Sequence, residues 1–354
     1  MSKIGVLLVN LGTPDAPTKP AVKRYLKEFL LDPRVIDYPF YLRQILVRCL
    51  IIPKRINETT SFYQRIWEKE GSPLMIHSKA QKELLQEELG EGYQVELAMR
   101  YQNPSIKDTL EKLKGVKEMV VIPLFPQYAS ATTGSLHQEI MRCLKSFETI
   151  PKILFHSSYP ENELMAEAFA ERARAKDLSK YDHFLFSFHG LPVRHILKAN
   201  SQCMKGDCCE SLTPKNKLCY RAECFATARS IVKALGLEKN QYSLCFQSRL
   251  GKEKWLEPYA IDHLKNLAKS GKKRVLVFCP SFVADCIETI HEIAVEYAKD
   301  FKVFGGESLD LVESLNDHPL WIQALSQMIR PDSMNLKNHF GLKKETKSFA
   351  LSHQ

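Results

Sequence analysis

The stretches VVIPLFPQYASATTG (residues 120–134) and VLVFCPSFVADCIE (residues 275–288) repeat one pattern. Each runs from a short apolar segment through a proline and an aromatic residue into a small, polar loop that enters a helical period. The matching prolines, Pro126 and Pro280, lie 154 residues apart. A buried strand that leads into a helix is the repeating unit of a parallel α/β sheet. The echo therefore predicts two similar α/β halves.

Short apolar runs alternate with longer segments of helical period along the rest of the chain, which is typical of a mostly parallel α/β fold. The predicted strands cover residues 4–10, 93–99, 119–125, 152–157, 183–188, 242–247, 274–279 and 301–305. The predicted helices include residues 78–90, 105–114, 162–176 and 222–235. Eight strands predict two four-stranded domains, with a helix and a tail after them. The expected limits of the two domains are 1–145 and 146–310. A C-terminal helix is expected at 311–330 and a basic tail at 331–354.

Composition narrows the functional classes. Apolar residues make up 44% of the chain and charged residues 26%, as in ordinary globular proteins, and no apolar run approaches the ~20 residues that span a bilayer. The start, MSKIGVLLVN, reads as a first strand and not as a signal peptide, so we expect a cytoplasmic protein. The net charge of +9 suits an anionic small molecule or a weak peripheral membrane contact. No motif for nucleic acid or a nucleotide is present.

His189 is the first candidate functional residue. It ends the apolar strand in FSFHGLP, and Gly190 permits a sharp turn directly after it. A lone histidine is often structural. In open α/β sheets, however, ligands bind outside the carboxyl ends of the strands, so we interpret His189 as a candidate for chemistry.

Four carboxylates in ADCIETIHEIAVEY form the second candidate. On an α-helix, Asp285, Glu288, Glu292 and Glu296 stand at i, i+3, i+7 and i+11, within a stripe about 80° wide. An amphipathic surface helix is the alternative, but it normally interleaves lysines, and glutamates four residues apart repel each other by ~0.2–0.5 kcal/mol per pair. We interpret the stripe as facing a divalent cation, which favours oxygen ligands.

A third candidate joins the end of one strand to a loop rich in hydroxyl groups. Arg100 and Tyr101 follow a predicted strand, and Ser130 and Thr132 lie in a loop before a helix. A guanidinium, hydroxyl groups and a helix start suit an anionic substrate group. An ordinary N-cap and turn would explain the same residues.

Nine motifs in one order resemble the ferrochelatase family, which inserts ferrous iron into a porphyrin. They are VNLGTPD, FLLDPRVID, EGSPL, RYQNPS, QYASATTGS, SFHGLP, FQSRLGKEKWLEPY, FVADCIETIHEI and GGESL. The resemblance extends to about residue 325. It implies an α/β fold of two similar Rossmann-like domains with four-stranded parallel sheets. It also implies an enzyme that inserts Fe(II) into protoporphyrin IX with release of two protons, the last step of haem biosynthesis.

The resemblance also implies roles for single residues. His189 and Glu288 match the metal-site pair, and His189 would accept protons from the pyrrole nitrogens, while Asp285, Glu288 and Glu292 would conduct metal or protons. Positions near the porphyrin are matched by Tyr63, Ser72 and Arg100. Leu11 stands where relatives that metallate coproporphyrin carry a tyrosine, which favours protoporphyrin IX. Many relatives have histidine where Cys286 stands, so no role is carried over to it.

Half of the ten cysteines lie in an apparent insertion at residues 198–224. They are Cys203, Cys208, Cys209, Cys219 and Cys224. The spacing C-x4-C-C-x9-C-x4-C is neither that of a zinc finger nor a CxxC pair, and thiols in the cytoplasm stay reduced. Some members of the resembled family carry a [2Fe–2S] cluster, which takes four thiolates, so the resemblance implies that four of these five hold one. A structural zinc ion and unliganded thiols are the alternatives.

Two rival functions share these features. A related chelatase for another metal, such as cobalt, or another tetrapyrrole would keep the fold, the histidine and the carboxylates. A non-catalytic iron–sulfur or haem-binding sensor on the same scaffold would be expected to lose His189 or Glu288. Both residues are present, which favours the enzyme.

Overall fold

The computed structural model describes residues 3–199, 201, 203, 207–251 and 253–330. Within them, strands and helices alternate. The strands are β1 (Ile4–Gly12), β2 (Tyr93–Tyr101), β3 (Glu118–Pro123), β4 (Lys152–Phe155), β5 (His183–His189), β6 (Tyr242–Gln247), β7 (Arg274–Phe278) and β8 (Ser308–Leu311). The α-helices are α1 (Lys19–Leu30), α2 (Phe40–Ile45), α3 (Ile52–Ile66), α4 (Pro73–Leu89), α5 (Ile106–Lys112), α6 (Ser135–Leu144), α7 (Glu163–Arg174), α8 (Val193–Ala199), α9 (Tyr220–Leu235), α10 (Ala260–Lys269), α11 (Ala298–Val303) and α12 (Pro319–Ile329). Three segments are π-helical, namely Leu46–Ile51, Ser130–Gly134 and Glu288–Tyr297, and Leu178–Lys180 forms a 3₁₀ turn.

The strands form two parallel four-stranded sheets with the same topology. Their orders are β2-β1-β3-β4 and β6-β5-β7-β8, and every pair of neighbours is parallel. The two halves are therefore similar, as the sequence echo predicts. The quoted stretches correspond to β3 and β7, which hold equivalent positions, and each leads into a π-helical segment.

Two expectations need correction. The predicted strand at 301–305 is wrong, because these residues end α11 and form the following turn, and the strand is Ser308–Leu311. The apolar Phe301 suggested a strand. Its ring is instead buried against Gly306, so close that a β-carbon on residue 306 would lie 2.2 Å from the ring. In addition, β4 pairs with β3, so the change from one sheet to the other falls after Phe155 and not at residue 145.

One hydrophobic cluster joins the two sheets. It contains Val6 and Leu8 of β1, Phe186 of β5 and Trp321 of α12. Polar contacts reinforce this junction, since buried Gln81 of α4 donates to main-chain carbonyls in the C-terminal half at 2.8–2.9 Å. The C-terminal helix is thus part of the shared core. The predicted basic tail, 331–354, lies outside the described residues, and no helix among those described is long and apolar enough to cross a membrane.

Candidate active site

His189 is the last residue of β5 and lies at the carboxyl edge of the second sheet. Its Nδ1 atom is 2.7 Å from the carbonyl oxygen of Gly190. A carbonyl only accepts hydrogen bonds, so Nδ1 carries the hydrogen and Nε2 keeps its lone pair. The backbone of Gly190 does not have a positive φ, so no turn conformation requires a glycine here. A β-carbon on residue 190 would, however, lie 2.7 Å from the Gln247 carbonyl oxygen. Close packing against β6 therefore requires this glycine.

The main chain of His189 is held on both sides. Tyr220 donates its hydroxyl hydrogen to the His189 carbonyl oxygen across 2.6 Å. The His189 amide donates to Ser281 Oγ at 3.3 Å, and Ser281 Oγ is 3.2 Å from the Tyr220 hydroxyl. Tyr220 was not predicted from the sequence, because the contact joins residues 31 positions apart.

Glu288 opens the π-helical segment that follows β7. Burial raises its pKa, while the neighbouring Cys286 thiol and the charge of His189 oppose the rise. The two predicted partners, His189 and Glu288, are therefore close enough to interact electrostatically. Cys286 is buried beside them, and burial raises the pKa of its thiol, so it stays neutral at physiological pH.

Residues from the first half of the chain lie near Glu288. Burial and then the negative charge of Glu288 raise the pKa of Tyr25, and burial together with Tyr25 and Glu288 raises the pKa of Tyr63. Leu11 and Ile287 pack against the same apolar cluster. Leu11, Tyr63 and Tyr25 thus belong to one apolar cluster together with Ile287. No sequence signal separates Tyr25 from an ordinary core residue of α1.

The carboxylates lie on a π-helix and not on the predicted α-helix. In a π-helix hydrogen bonds run from i to i+5, so residues four apart are just under one turn apart and stay roughly aligned. Asp285 precedes the segment, is buried, and accepts hydrogen bonds from Thr289 and Asn316 at 2.8 Å. Glu292 accepts from Ser248 at 2.6 Å, Tyr297 at 3.0 Å and Gln247 at 3.1 Å. Glu296 is half exposed at the outer end.

Arg100 and Tyr101 meet a residue that the sequence did not indicate. Buried Asp32 accepts hydrogen bonds from Arg100 at 2.7 Å, Tyr101 at 2.9 Å and Ser135 at 2.5 Å. Tyr101 is fully buried. The anion that these groups bind in the structure is therefore an internal carboxylate. Arg100 also borders an open pocket of about 490 Å³ that is lined by further basic residues of α1.

The remaining predicted binding residues have local structural partners. Ser72 is the N-cap of α4 and accepts a hydrogen bond from the Met75 amide at 3.3 Å. Ser130 Oγ accepts one from Arg34 at 2.8 Å. The Thr132 hydroxyl donates to the Ala129 carbonyl at 3.4 Å. Of the N-cap and turn that the sequence left open for residues 130–135, the Thr132 contact is a turn, while neither helical segment there has a side-chain cap.

An apolar lip lies outside the cleft wall, and we define it as residues 38–51. Its inner residue Val47 packs in the same cluster as Tyr63. Its outer face exposes six large apolar side chains: Tyr38, Phe40, Tyr41, Leu42, Ile45 and Leu50. Just before the lip, Asp37 accepts two hydrogen bonds from Arg194 of α8 at 2.6–2.9 Å. This ion pair ties the lip of one half to the residues that follow His189 in the other.

The five cysteines of the insertion gather beside α9. Cys203 and Cys219 have their sulfur atoms 3.5 Å apart, and those of Cys208 and Cys209 are 3.8 Å apart. Arg221 donates to Cys209 Sγ at 2.9 Å, and Cys224 is fully buried in α9. None of these cysteines is in a disulfide. No group of three or more His, Cys, Asp or Glu side chains in the described part of the chain is arranged to hold a metal ion.

Comparisons with known proteins agree with this geometry. A sequence model described as ferrochelatase matches residues 3–333. The chain is 44% identical over 337 residues to a ferrochelatase of Coxiella burnetii (strain Dugway 5J108-111), covering 93% of this chain and 94% of that protein. It is 42% identical over 330 residues to a ferrochelatase of Legionella pneumophila (strain Lens), covering 92% and 98%. The solved structure of SirB from Bacillus subtilis with Fe3+ matches 96% of this chain and 98% of that one at a TM-score of 0.53 and 11% identity, a likeness of fold alone.

Proposed function

Since the chain belongs to the ferrochelatase family, we propose that His189 and Glu288 are the pair that brings ferrous iron into the porphyrin. The activity is the insertion of iron into protoporphyrin in haem synthesis, with release of two protons. One observation carries the assignment of residues. In its neutral form His189 keeps a lone pair on Nε2 because its Nδ1 donates to Gly190, and in its charged form it interacts with the partly buried carboxylate of Glu288 at the start of a π-helix.

Proton removal is the step for which His189 is suited. The Nε2 lone pair accepts a proton from a pyrrole N–H, as a neutral imidazole does near physiological pH. The carbonyl oxygen of Gly190 then faces the Nδ1 hydrogen of a cationic ring and stabilises it. Glu288, whose pKa is raised by burial, accepts the second proton. Two N–H protons leave as one Fe(II) enters, so charge balances.

The apolar wall binds and bends the macrocycle. A planar porphyrin hides its nitrogen lone pairs, so binding energy spent on distortion exposes them to the metal. We assign this clamp to Tyr25, Tyr63, Leu11 and Ile287, which belong to one apolar cluster. Leu11, where a coproporphyrin enzyme would carry tyrosine, supports protoporphyrin IX as the substrate.

The row of glutamates supplies a route for iron or protons between solvent and the cleft. Glu288 lies at its inner end, Glu292 in the middle and half-exposed Glu296 at the outer end. Carboxylate oxygens suit a hard divalent cation in transit. Both oxygens of Asp285 already accept hydrogen bonds, so we assign Asp285 to anchoring the start of the helix and not to the route itself.

An anaerobic assay with ferrous iron and protoporphyrin IX tests the activity directly. We expect haem to form faster than cobalt is inserted, and protoporphyrin to be preferred over coproporphyrin. A preference for cobalt would favour the related chelatase. Tight haem binding without turnover would favour the sensor.

We propose that four of the five cysteines of the insertion hold a [2Fe–2S] cluster when it is bound, with two close pairs of sulfur atoms as its ligands. Two thiolates on one tetrahedral metal with bonds of about 2.3 Å lie about 3.8 Å apart. The pairs Cys203–Cys219 and Cys208–Cys209 have spacings of 3.5 and 3.8 Å. A [2Fe–2S] centre needs two such pairs. When bound, the cluster would crosslink the insertion to α9; insertion of Fe(II) needs no electron from it.

Four thiolates also suit structural zinc, which is the alternative occupant. Burial raises the pKa of the Cys209 thiol, and Arg221, which donates to Cys209 Sγ, opposes that rise.

We also propose that the lip makes a weak peripheral contact with an anionic membrane surface of the cytoplasm. Six exposed apolar side chains lie within this short segment, and exposed Arg48, Lys54 and Arg55 accompany them. An apolar face with basic neighbours matches the headgroup region of anionic lipids. A poorly water-soluble substrate would reach the cleft from that side.

A further inference from the structure

Tyr220 joins the cysteine-rich insertion to the catalytic strand. It follows Cys219 directly in the sequence and opens α9. Its hydroxyl hydrogen is donated to the His189 carbonyl oxygen at 2.6 Å. The residue is only 7% exposed, and burial raises the pKa of its hydroxyl, so it remains a donor at physiological pH.

The contact reaches the imidazole through a short chain of bonded groups. The His189 carbonyl belongs to the peptide plane that connects His189 to Gly190. The next carbonyl, that of Gly190, accepts the hydrogen of His189 Nδ1. A rotation of the first peptide plane therefore moves the acceptor that orients the ring. On the other side of His189, Ser281 Oγ accepts a hydrogen bond from the His189 amide. Because the same Oγ atom lies against the Tyr220 hydroxyl, Ser281 limits this rotation only partly.

The same turn of α9 is fixed to the insertion. Buried Glu223 accepts hydrogen bonds from the Leu218 amide at 3.1 Å and from the Tyr128 amide at 2.6 Å. Cys219, one residue before Tyr220, lies 3.5 Å from Cys203. A change in how these cysteines are held thus displaces the start of α9, and Tyr220 with it.

We propose that Tyr220 is a positioning residue for His189, through which the state of the cysteine-rich insertion sets the rate of metal insertion. The inference rests on the proposed role of His189 as proton acceptor. It gives the cysteines a route to the active site without electron transfer. Whether iron–sulfur or zinc holds the thiolates, the mechanical link is the same.

Tyr220→Phe tests the link, and Tyr159→Phe is its matched control. Tyr159 is equally buried and donates to the Pro123 carbonyl at 2.7 Å, so both variants lose one hydrogen bond from a tyrosine to a main-chain carbonyl. We expect Tyr220→Phe to lower kcat by about tenfold, the effect of one net hydrogen bond. KM and porphyrin affinity, measured by fluorescence quenching, should stay unchanged. Tyr159→Phe should lower Tm similarly and keep kcat.

The coupling to the cysteines is tested by a double-mutant cycle with Cys219→Ser. If both changes act along one route, the double variant loses little more kcat than the worse single variant. Hydrogen exchange in a peptide spanning residues 186–192 should quicken in Tyr220→Phe and in Cys219→Ser but not in Tyr159→Phe. This readout is independent of turnover.

Two outcomes would overturn the proposal. If Tyr220→Phe turns over like Tyr159→Phe, Tyr220 does not position His189. If the losses in the double variant multiply and exchange is unchanged, the insertion does not act through Tyr220. Neither outcome touches the role of His189 itself, which His189→Ala tests separately.

Discussion

Ser248 Oγ lies 2.6 Å from the carboxylate of Glu292, so a residue at the end of β6 fixes the middle of the glutamate row. Ser248 adopts a φ of 64° to do so, a left-handed conformation that is uncommon for residues other than glycine. With Gln247 and Tyr297 as further donors, Glu292 has its position set by three side chains. The glutamates on either side of it are the ones left to exchange protons or metal.

Glu288→Gln should therefore reduce metal insertion far more than Glu296→Gln. Glu288 is partly buried at the start of the π-helix, whereas the Glu296 side chain is 44% exposed. Each change preserves helix shape and removes one charge. We expect a loss of at least a hundredfold in kcat for Glu288→Gln and less than about tenfold for Glu296→Gln. Equal, small losses of kcat in an anaerobic assay would show that these carboxylates belong to an ordinary surface helix.

His189→Ala should abolish metal insertion and leave porphyrin binding and Tm nearly unchanged. General acid–base groups contribute about 10²–10⁴-fold, and the loss should fall in that range. His263→Ala is the control, because its ring binds Ser243 near the start of β6, at the opposite edge of the same sheet. Near-normal turnover by folded His189→Ala would remove this histidine from the mechanism.

Asp32→Asn should destabilise the fold strongly. The change leaves the half-buried guanidinium of Arg100 without its counter-charge, and breaking a buried pair costs about 3–5 kcal/mol. Asp15→Asn is the matched control, since Asp15 pairs with Arg24 across 3.6 Å at the surface and exposed pairs contribute about 0–1 kcal/mol. The measurement is urea unfolding of both variants. Similar midpoints would show that the Asp32 network is not structural.

Protein isolated anaerobically should be red-brown, with about two acid-labile sulfides per chain. Serine at Cys203 or Cys219 should bleach it, because an alkoxide is a poor substitute for a soft thiolate. Serine at Cys208 or at Cys209 should bleach it as well, because the pair whose sulfur atoms lie 3.8 Å apart would then offer one thiolate instead of two. The exposed Cys49 gives a control whose replacement keeps the colour.

A colourless protein with about one zinc ion per chain would replace the iron–sulfur assignment with a structural zinc site. A metal-free, fully active protein with reactive thiols throughout the insertion would exclude both.

Replacing Tyr41 and Leu50 of the lip by serine should weaken binding to vesicles that contain phosphatidylserine by about tenfold. The control replaces Met141 and Val303, which are exposed to a similar extent elsewhere on the surface. Co-sedimentation at low and high salt measures both apolar and charge contributions. Equal binding by the two double variants would show that the lip is not the contact surface.

The sequence predicts most of the fold because buried parallel strands are nearly continuous apolar runs. β8 was not predicted in this way, because its sequence SLDL contains a charged residue and is only four residues long. The π-helical hydrogen bonding of Glu288–Tyr297 could not be predicted either, because a stripe spaced three and four residues apart reads equally well as an α-helix. His189 could be proposed as a candidate because it ends a strand at the carboxyl edge of its sheet, and Glu288 because of the spacing of the carboxylates around it.

The partners of these residues could not be found in the same way. Asp32, Ser248 and Tyr220 act through contacts with residues 31 to 103 positions away, and local pattern carries no information at such separations. The predicted anion site at Arg100 shows the consequence. The residue types suit an anion, but the chain itself supplies it as Asp32.

The hydrophobic cluster that runs from β1 through β5 to Trp321 makes the two sheets a single cooperative unit. Neither sheet could be excised as an autonomous fragment, because each would expose the apolar face that the other now covers. Parting the sheets like a hinged clamshell would break this cluster. The helices α1 and α3 belong to a separate apolar cluster. If the porphyrin binds there, as proposed, it need not break the joint core to enter or leave.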